Sequence, residues 1–274
     1  GAKNNEVKIV NSCGYDSIPS DLGIYFIHKS LSKKNLKVSM RVSGAKGGLS
    51  GGTYASMQNI MEEATNDKEV RKSLSNPYGL NPSGEQSGPD KRDLTSVVYD
   101  KNIKSWIAPF IMAGINTRIV RRSNALSNYK YGKDFKYDEA IMTGNGFKGK
   151  LRGTLISIPL FFLAAKPGSL FNKIFNFFTP NPGEGPNKKE RENGYFNSKF
   201  FVFQEDSNTS IFKVTGDRDP GYGSTSKMLA ESAVCLAKDD LEKTYGVLTP
   251  SYAMGDNILE RLESNAGLTF KKIK

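Results

Sequence analysis

A chain of 274 residues with 37% hydrophobic and 24% charged residues has room for one large globular domain or two small ones, and is too apolar for disorder to be the default. Its net charge of +11 favours an anionic partner, either a phosphate-bearing ligand or a membrane surface, or reflects a lysine-rich solvated surface. No nucleic-acid recognition motif accompanies the charge, so that partner is not expected. His28 is the only histidine, and Cys13 and Cys235 stand far apart; this removes most catalytic triads, histidine-rich metal sites and a disulfide framework. No metal is expected, the polar start GAKNNE is no signal peptide, and the setting reads as intracellular.

In chain order, VKIV at 7–10 reads as a short strand, followed by a turn through Cys13 and a helix opened by Pro19. Ser17 is the expected helix cap, Asp21 lies near the positive end of the helix dipole, and Leu22, Tyr25, Phe26 and Lys29 repeat at helical spacing. This strand–loop–helix unit, with no such unit before it, reads as the end of a truncated Rossmann-type domain over 1–35. Residues 37–42 alternate as a strand, and the glycine-dense loop GAKGGLSGG at 44–52 leads into a helix over 53–63 with Tyr54, Met57, Ile60 and Met61 inward. Residues 74–102 read as an irregular surface excursion. Residues 117–122 end a short helix. Strands follow at 137–143, 200–203 and 209–215, and an amphipathic helix at 228–241 places Met228, Leu229, Ala233, Leu236 and Ala237 on one face. The expected fold is therefore α/β (α+β), a mixed, largely antiparallel sheet with flanking helices, preceded by the last strand–helix unit of a Rossmann domain.

Three segments bear on chemistry. GNGFKG at 144–149 matches the dinucleotide pattern literally, but Asn145-Gly146 is a strong hairpin signal, KLRG is a poor helix start, and no acidic residue follows about twenty positions on; a hairpin is expected. The 44–52 loop, with Gly51, Gly52 and Thr53 at a helix start, either holds an anion on its amides or is merely a flexible path. At 216–227, Asp217, Arg218 and Asp219 form a charge cluster and Ser224 or Thr225 is a candidate helix cap; either this is a salt-bridged turn or Arg218 holds an anionic group.

Between Ala140 and Gly183 there is no acidic residue, and an apolar, basic segment runs over 150–180. Phe161, Phe162, Phe171, Phe175 and Phe178 are its membrane-contact candidates. The segment suits either a helix lying on an anionic membrane or a core helix beside a ligand tunnel; its uncharged apolar stretch over 153–165 is shorter than the roughly 20 residues a spanning helix needs and is interrupted by Pro159.

VKIVNSCGYDSIPSDLG at 7–23, SGGTYASM at 50–57, GDRDPGYGSTSKMLAESAVCLA at 216–237 and GVLTPSYAMGDNILERL at 246–262 resemble the saccharopine-dehydrogenase-like oxidoreductases, and within them the trans-acting enoyl reductases of lipid biosynthesis. The resemblance implies an oxidoreductase using NAD(P) on a Rossmann domain whose glycine fingerprint would precede Val7. NAD(P) would then not bind this chain tightly by itself, and the chain alone would be inactive. It further implies a mixed α/β substrate and dimerisation domain over 36–274, a lipid-like or acyl substrate, a homodimer, and a cytoplasmic site or one peripheral to a membrane or lipid droplet. Cys13, Asp16, Ser17, Asp21, Gly51, Gly52, Thr53, Asp217, Arg218 and Tyr222 are the candidates for the cofactor and substrate cleft, with no catalytic residue assigned. A non-catalytic lipid-surface module keeping the same architecture is the alternative.

Overall fold

The computed structural model describes residues 1–47, 51–163, 185–204 and 209–274. The strands are β1 (Lys8–Val10), β2 (Lys37–Lys46), β3 (Val98–Asp100), β4 (Ser105–Ala108), β5 (Lys136–Gly144), β6 (Tyr195–Phe203), β7 (Thr209–Gly216), β8 (Gly246–Leu248) and β9 (Leu268–Lys272). The helices among the described residues are α1 (Ile18–Leu31), α2 (Gly51–Asn66), α3 (Lys68–Ser75), α4 (Ala113–Leu126), α5 (Gly146–Leu163), α6 (Lys188–Glu192), α7 (Gly223–Lys238) and α8 (Pro250–Asn265).

Seven strands form one sheet in the order β3-β4-β5-β2-β6-β7-β9. Only β2 and β5 pair parallel; the other neighbours are antiparallel, as expected of a mixed, largely antiparallel sheet. β1 stands apart in a two-stranded parallel sheet with β8. Residues alternate between buried and half-buried along β6 and β7, the period-two signature of a sheet with one face covered. That face carries Phe196, Phe200, Phe212 and Val214 into one core with Ile18, Leu22, Ile24 and Ile27 of α1 and Ile258 and Leu262 of α8. Phe26 meets the rings of Phe212 and Phe270, each at 6.0 Å.

Three local expectations are corrected. Residues 144–149 form no hairpin: β5 runs directly into α5, and the 150–153 stretch lies inside the helix. Gly144 and Gly146 take φ of +102° and +60°, so the turn relies on two glycines that can adopt left-handed backbone to launch a helix. Local turn propensity yields here to the packing of Gly149 and Gly153 against β4 and β5. On α7, Met228 is buried and Leu236 partly so, but Leu229, Ala233 and Ala237 are exposed; the packed side is Ser224, Met228, Ser232 and Cys235. On α2, Met57 and Ile60 line a cavity, but Ile60, expected inward, is exposed like Met61, and Tyr54 lies outside the residues whose side chains are described.

Of the 74–102 stretch read as an irregular surface excursion, Leu74 and Ser75 end α3 and Val98–Asp100 form β3, while 76–97 is irregular but pinned rather than loose on the surface. Tyr78 and Asn81 are buried in it, and Asp90 and Asp93 pair with Arg121 and Arg118 of α4.

Candidate functional site

Because β2 and β5 run parallel, their carboxyl ends finish side by side, the position where open sheets leave a crevice for ligands. A cavity of about 800 Å³ opens there. Its apolar wall comes from Val42 of β2, Met57 of α2, Phe110 and Ile115 around the start of α4, Ile141 of β5 and Ile156 of α5. Its polar end is made by Tyr15 and Asp16, after β1, and by Tyr222 and Thr225 at the start of α7.

The two loops at the polar end hold each other. Tyr15 N donates to Thr225 Oγ1 at 3.0 Å, and that hydroxyl donates to Pro220 O at 2.7 Å. Gly14 N donates to Asp16 Oδ1 at 2.8 Å. Asp219 is fully buried and accepts from Tyr222 N and Gly223 N, so its carboxylate satisfies the first amides of α7. The Ser224 and Thr225 hydroxyls, expected as caps, instead donate to Arg218 O and Pro220 O. The Tyr15 ring packs on Phe196 at 4.9 Å between centroids, and burial pushes its phenol above the usual range, so the proton stays on at neutral pH.

Of the residues singled out from the sequence, Asp16, Thr53 and Tyr222 line this cavity. Cys13, Ser17 and Asp21 lie outside its lining and buried. The Cys13 thiol sits 3.6 Å from Val10 O, and burial pushes it up to about 11, which leaves it protonated and a poor nucleophile. Ser17 occupies the cap position of α1 without a capping hydrogen bond, because its hydroxyl donates to Asn116 Oδ1. Asp21 accepts from Ser123 Oγ and from Ser251 N, and burial raises it to about 6. Gly51 and Gly52 begin α2 outside the lining. Asp217 is exposed, 3.8 Å from Lys227 Nζ. Arg218 is not in the lining, and its Nε is buried without a hydrogen-bond partner among the described residues. His28 lies against Tyr131 at 5.2 Å, away from the cavity. Phe171, Phe175 and Phe178 fall outside the described residues, as do the side chains of Phe161 and Phe162.

Two residues that sequence reading passed over matter here. Tyr15 lay unremarked inside the CGYDS turn. Glu139, fully within the core on β5, accepts from Tyr137 Oη at 2.7 Å and Asn116 Nδ2 at 2.9 Å, and burial raises it to about 7. Asn116 in turn binds Ser17, so this buried carboxyl is linked to the loop that carries Tyr15. An acidic residue on the inward side of an alternating strand was the available signal. Among the described residues no group of three or more histidines, cysteines or acids could hold a metal ion.

No protein-family model and no solved structure matches this chain. Among curated proteins it is similar to a Mycobacterium tuberculosis (strain H37Rv) protein named "Putative trans-acting enoyl reductase", at 35% identity over 291 positions, covering 98% of this chain and 68% of that protein. It is also similar to the "Trans-acting enoyl reductase" of Mycobacterium ulcerans and that of Mycobacterium bovis BCG, each at 32% identity over 95% of this chain and 66% of the relative. The chain thus spans about two thirds of the length of the relatives it matches.

Proposed function

Since the chain belongs to the trans-acting enoyl reductase family, we propose that it forms the acyl-binding side of an oxidoreductase that saturates an enoyl group on a lipid-like chain. The observation that supports this reading is a cavity lined by aliphatic, methionine and phenylalanine side chains, with Tyr15, Asp16, Tyr222 and Thr225 at its polar end. A volume near 800 Å³ is in the range of small-molecule sites and suits an acyl chain in its apolar part.

Reduction of an enoyl group adds a hydride to the β-carbon and a proton to the α-carbon. The hydride is the chemistry that a reduced nicotinamide dinucleotide supplies when bound. The described residues do not fit that group: β1 has only β8 beside it, so no extended parallel sheet is present among them to carry a dinucleotide. The GNGFKG turn, although it joins strand to helix, is followed by no acidic residue before Gly183. We therefore assign this chain only the acyl half of the reaction. The apolar wall binds and orients the chain and excludes water. Tyr15 holds the proton that is delivered to the α-carbon, and Asp16, Thr225 and Tyr222 shape the polar end.

The test is calorimetric titration of the chain with a medium-chain trans-2-enoyl thioester, alongside reduced-nicotinamide consumption in the same mixture. Saturable thioester binding, weakened at least about tenfold by Met57→Trp filling of the cavity, is expected. Absence of binding to the wild-type chain overturns the reading. Binding without nicotinamide consumption leaves the acyl-site assignment standing and locates the hydride half elsewhere.

A further inference from the structure

Helix α5 sits on the protein the opposite way round from an ordinary surface helix. The side it lays on the sheet is made of small residues. A Cβ on Gly149 would lie 2.2 Å from Gly144 O and 3.2 Å from the Trp106 ring, and one on Gly153 would lie 2.9 Å from Val97 Cγ1. The large apolar residues point away: Phe147, Leu151, Leu155 and Ile158 are 78%, 48%, 56% and 45% exposed. At about 100° per residue these four fall within roughly 80° of arc and along some 16 Å of helix, so they form one continuous stripe.

Cations flank that stripe on both sides. Lys148 and Arg152 project along one edge, and Lys150 along the other, where its ammonium lies 5.4 Å from the Trp106 ring centre. The helix carries no acidic residue, and none occurs from Ala140 to Gly183. An apolar stripe between cationic edges is complementary to one kind of surface, an interface with hydrocarbon below and anionic head groups above. A second copy of the chain suits it poorly. In a two-fold contact the same cationic edges would face each other with no carboxylate on the helix to offset them. No helix among the described residues is long and apolar enough to cross a membrane, so the contact is peripheral.

We propose that the outer face of α5 docks this protein on anionic lipid bilayers, with Phe147, Leu151, Leu155 and Ile158 at the head-group boundary and Lys148, Lys150 and Arg152 against the head groups. The docking does not depend on the proposed reduction. Ile156 of the same helix lines the cavity, so the docked helix is also a wall of the acyl site.

The experiment is co-sedimentation of the chain with vesicles of phosphatidylcholine alone or mixed with phosphatidylserine, at low and high salt, with emission of the single tryptophan followed in parallel. Trp106 lies beneath the start of α5 and reports on its surroundings. Expected are pelleting with the phosphatidylserine vesicles, loss with salt, and an emission shift on binding. The triple change Phe147→Ser, Leu151→Ser and Leu155→Ser alters only exposed side chains. It should cut vesicle binding at least about tenfold with the thermal midpoint unchanged. Lys148→Glu with Arg152→Glu should abolish the preference for phosphatidylserine. The proposal is overturned if wild type stays in the supernatant, if the triple variant pellets as well as wild type, or if light scattering shows dimers that the triple change dissolves without vesicles present.

Discussion

Arg121 Nε donates to Asp90 Oδ2 at 2.7 Å with both side chains almost wholly buried, and together with the Asp93–Arg118 pair it ties the irregular 76–97 segment to α4. The same guanidinium donates to Tyr137 O and Pro77 O, and Asp90 accepts from Tyr137 N. Every strong group in the cluster is therefore matched. Removing one partner leaves a buried charge uncompensated, a far larger loss than the net worth of the pair. Asp90→Ala should cost roughly 3–5 kcal/mol in urea unfolding. A loss below about 1 kcal/mol, the scale of an exposed ion pair, would mean that the guanidinium finds water or another carboxylate.

Glu139 sets a pH dependence whose sign follows from its surroundings. Its folded pKa is raised to about 7 by burial, against an ordinary value of 4.5. The folded state holds this proton where the unfolded chain has lost it, so folding is favoured at low pH and stability falls as pH rises from about 4.5 to 7. The full effect is on the order of 3 kcal/mol and is complete above pH 7. Asp21, raised to about 6, acts in the same direction over a lower range. Glu139→Gln should flatten the upper part of the curve and gain stability relative to wild type at pH 8. A thermal-melt series in which wild type and variant run parallel from pH 5 to 8 would refute the assignment.

Gly23 marks the closest approach of α1 to the sheet. A Cβ there would lie 2.5 Å from Phe200 Cζ, and Phe200 is fully buried with no room to withdraw. Gly23→Ala should destabilise by about 1–3 kcal/mol in spite of alanine's better helix propensity. Pairing it with Phe200→Leu should recover part of the loss, because the two changes relieve one clash. Strict additivity in the double-mutant cycle would argue against direct contact.

Tyr15→Phe separates binding from chemistry. The phenylalanine keeps the ring contact with Phe196 and the backbone bond to Thr225, so acyl thioester affinity should stay within about threefold. If the phenol delivers the proton, kcat should fall by 10²–10⁴-fold, the usual worth of a positioned acid, with KM little changed, in assays of the chain or of any longer form that reduces the thioester. An unchanged kcat would move the proton source to another group.

Much of the fold was legible because alternation is a short-range property. β6 and β7 show it along their length, and α1 declared itself through Pro19 and the apolar run behind it. α7 misled because its apolar residues lie on more than one side, and a linear pattern says that a helix has a greasy face without saying which face the body of the protein covers. The GNGFKG turn failed differently: Asn145-Gly146 has a strong preference for hairpins, which the packing of Gly149 and Gly153 against β4 and β5 overrides.

Composition, spacing and side-chain period determined on their own the α/β class, the irregularity of most of 74–102 and the weight of positive charge around α5. These depend on neighbours a few residues apart or on simple sums. Only the tertiary structure decided that Tyr15, Met57, Ile141 and Thr225 share one cavity, that Asp90 lies under Arg121, and that Glu139 is buried. Such contacts join residues dozens to hundreds of positions apart, and their energies come from desolvation and close packing, which exist only once the chain has closed around them.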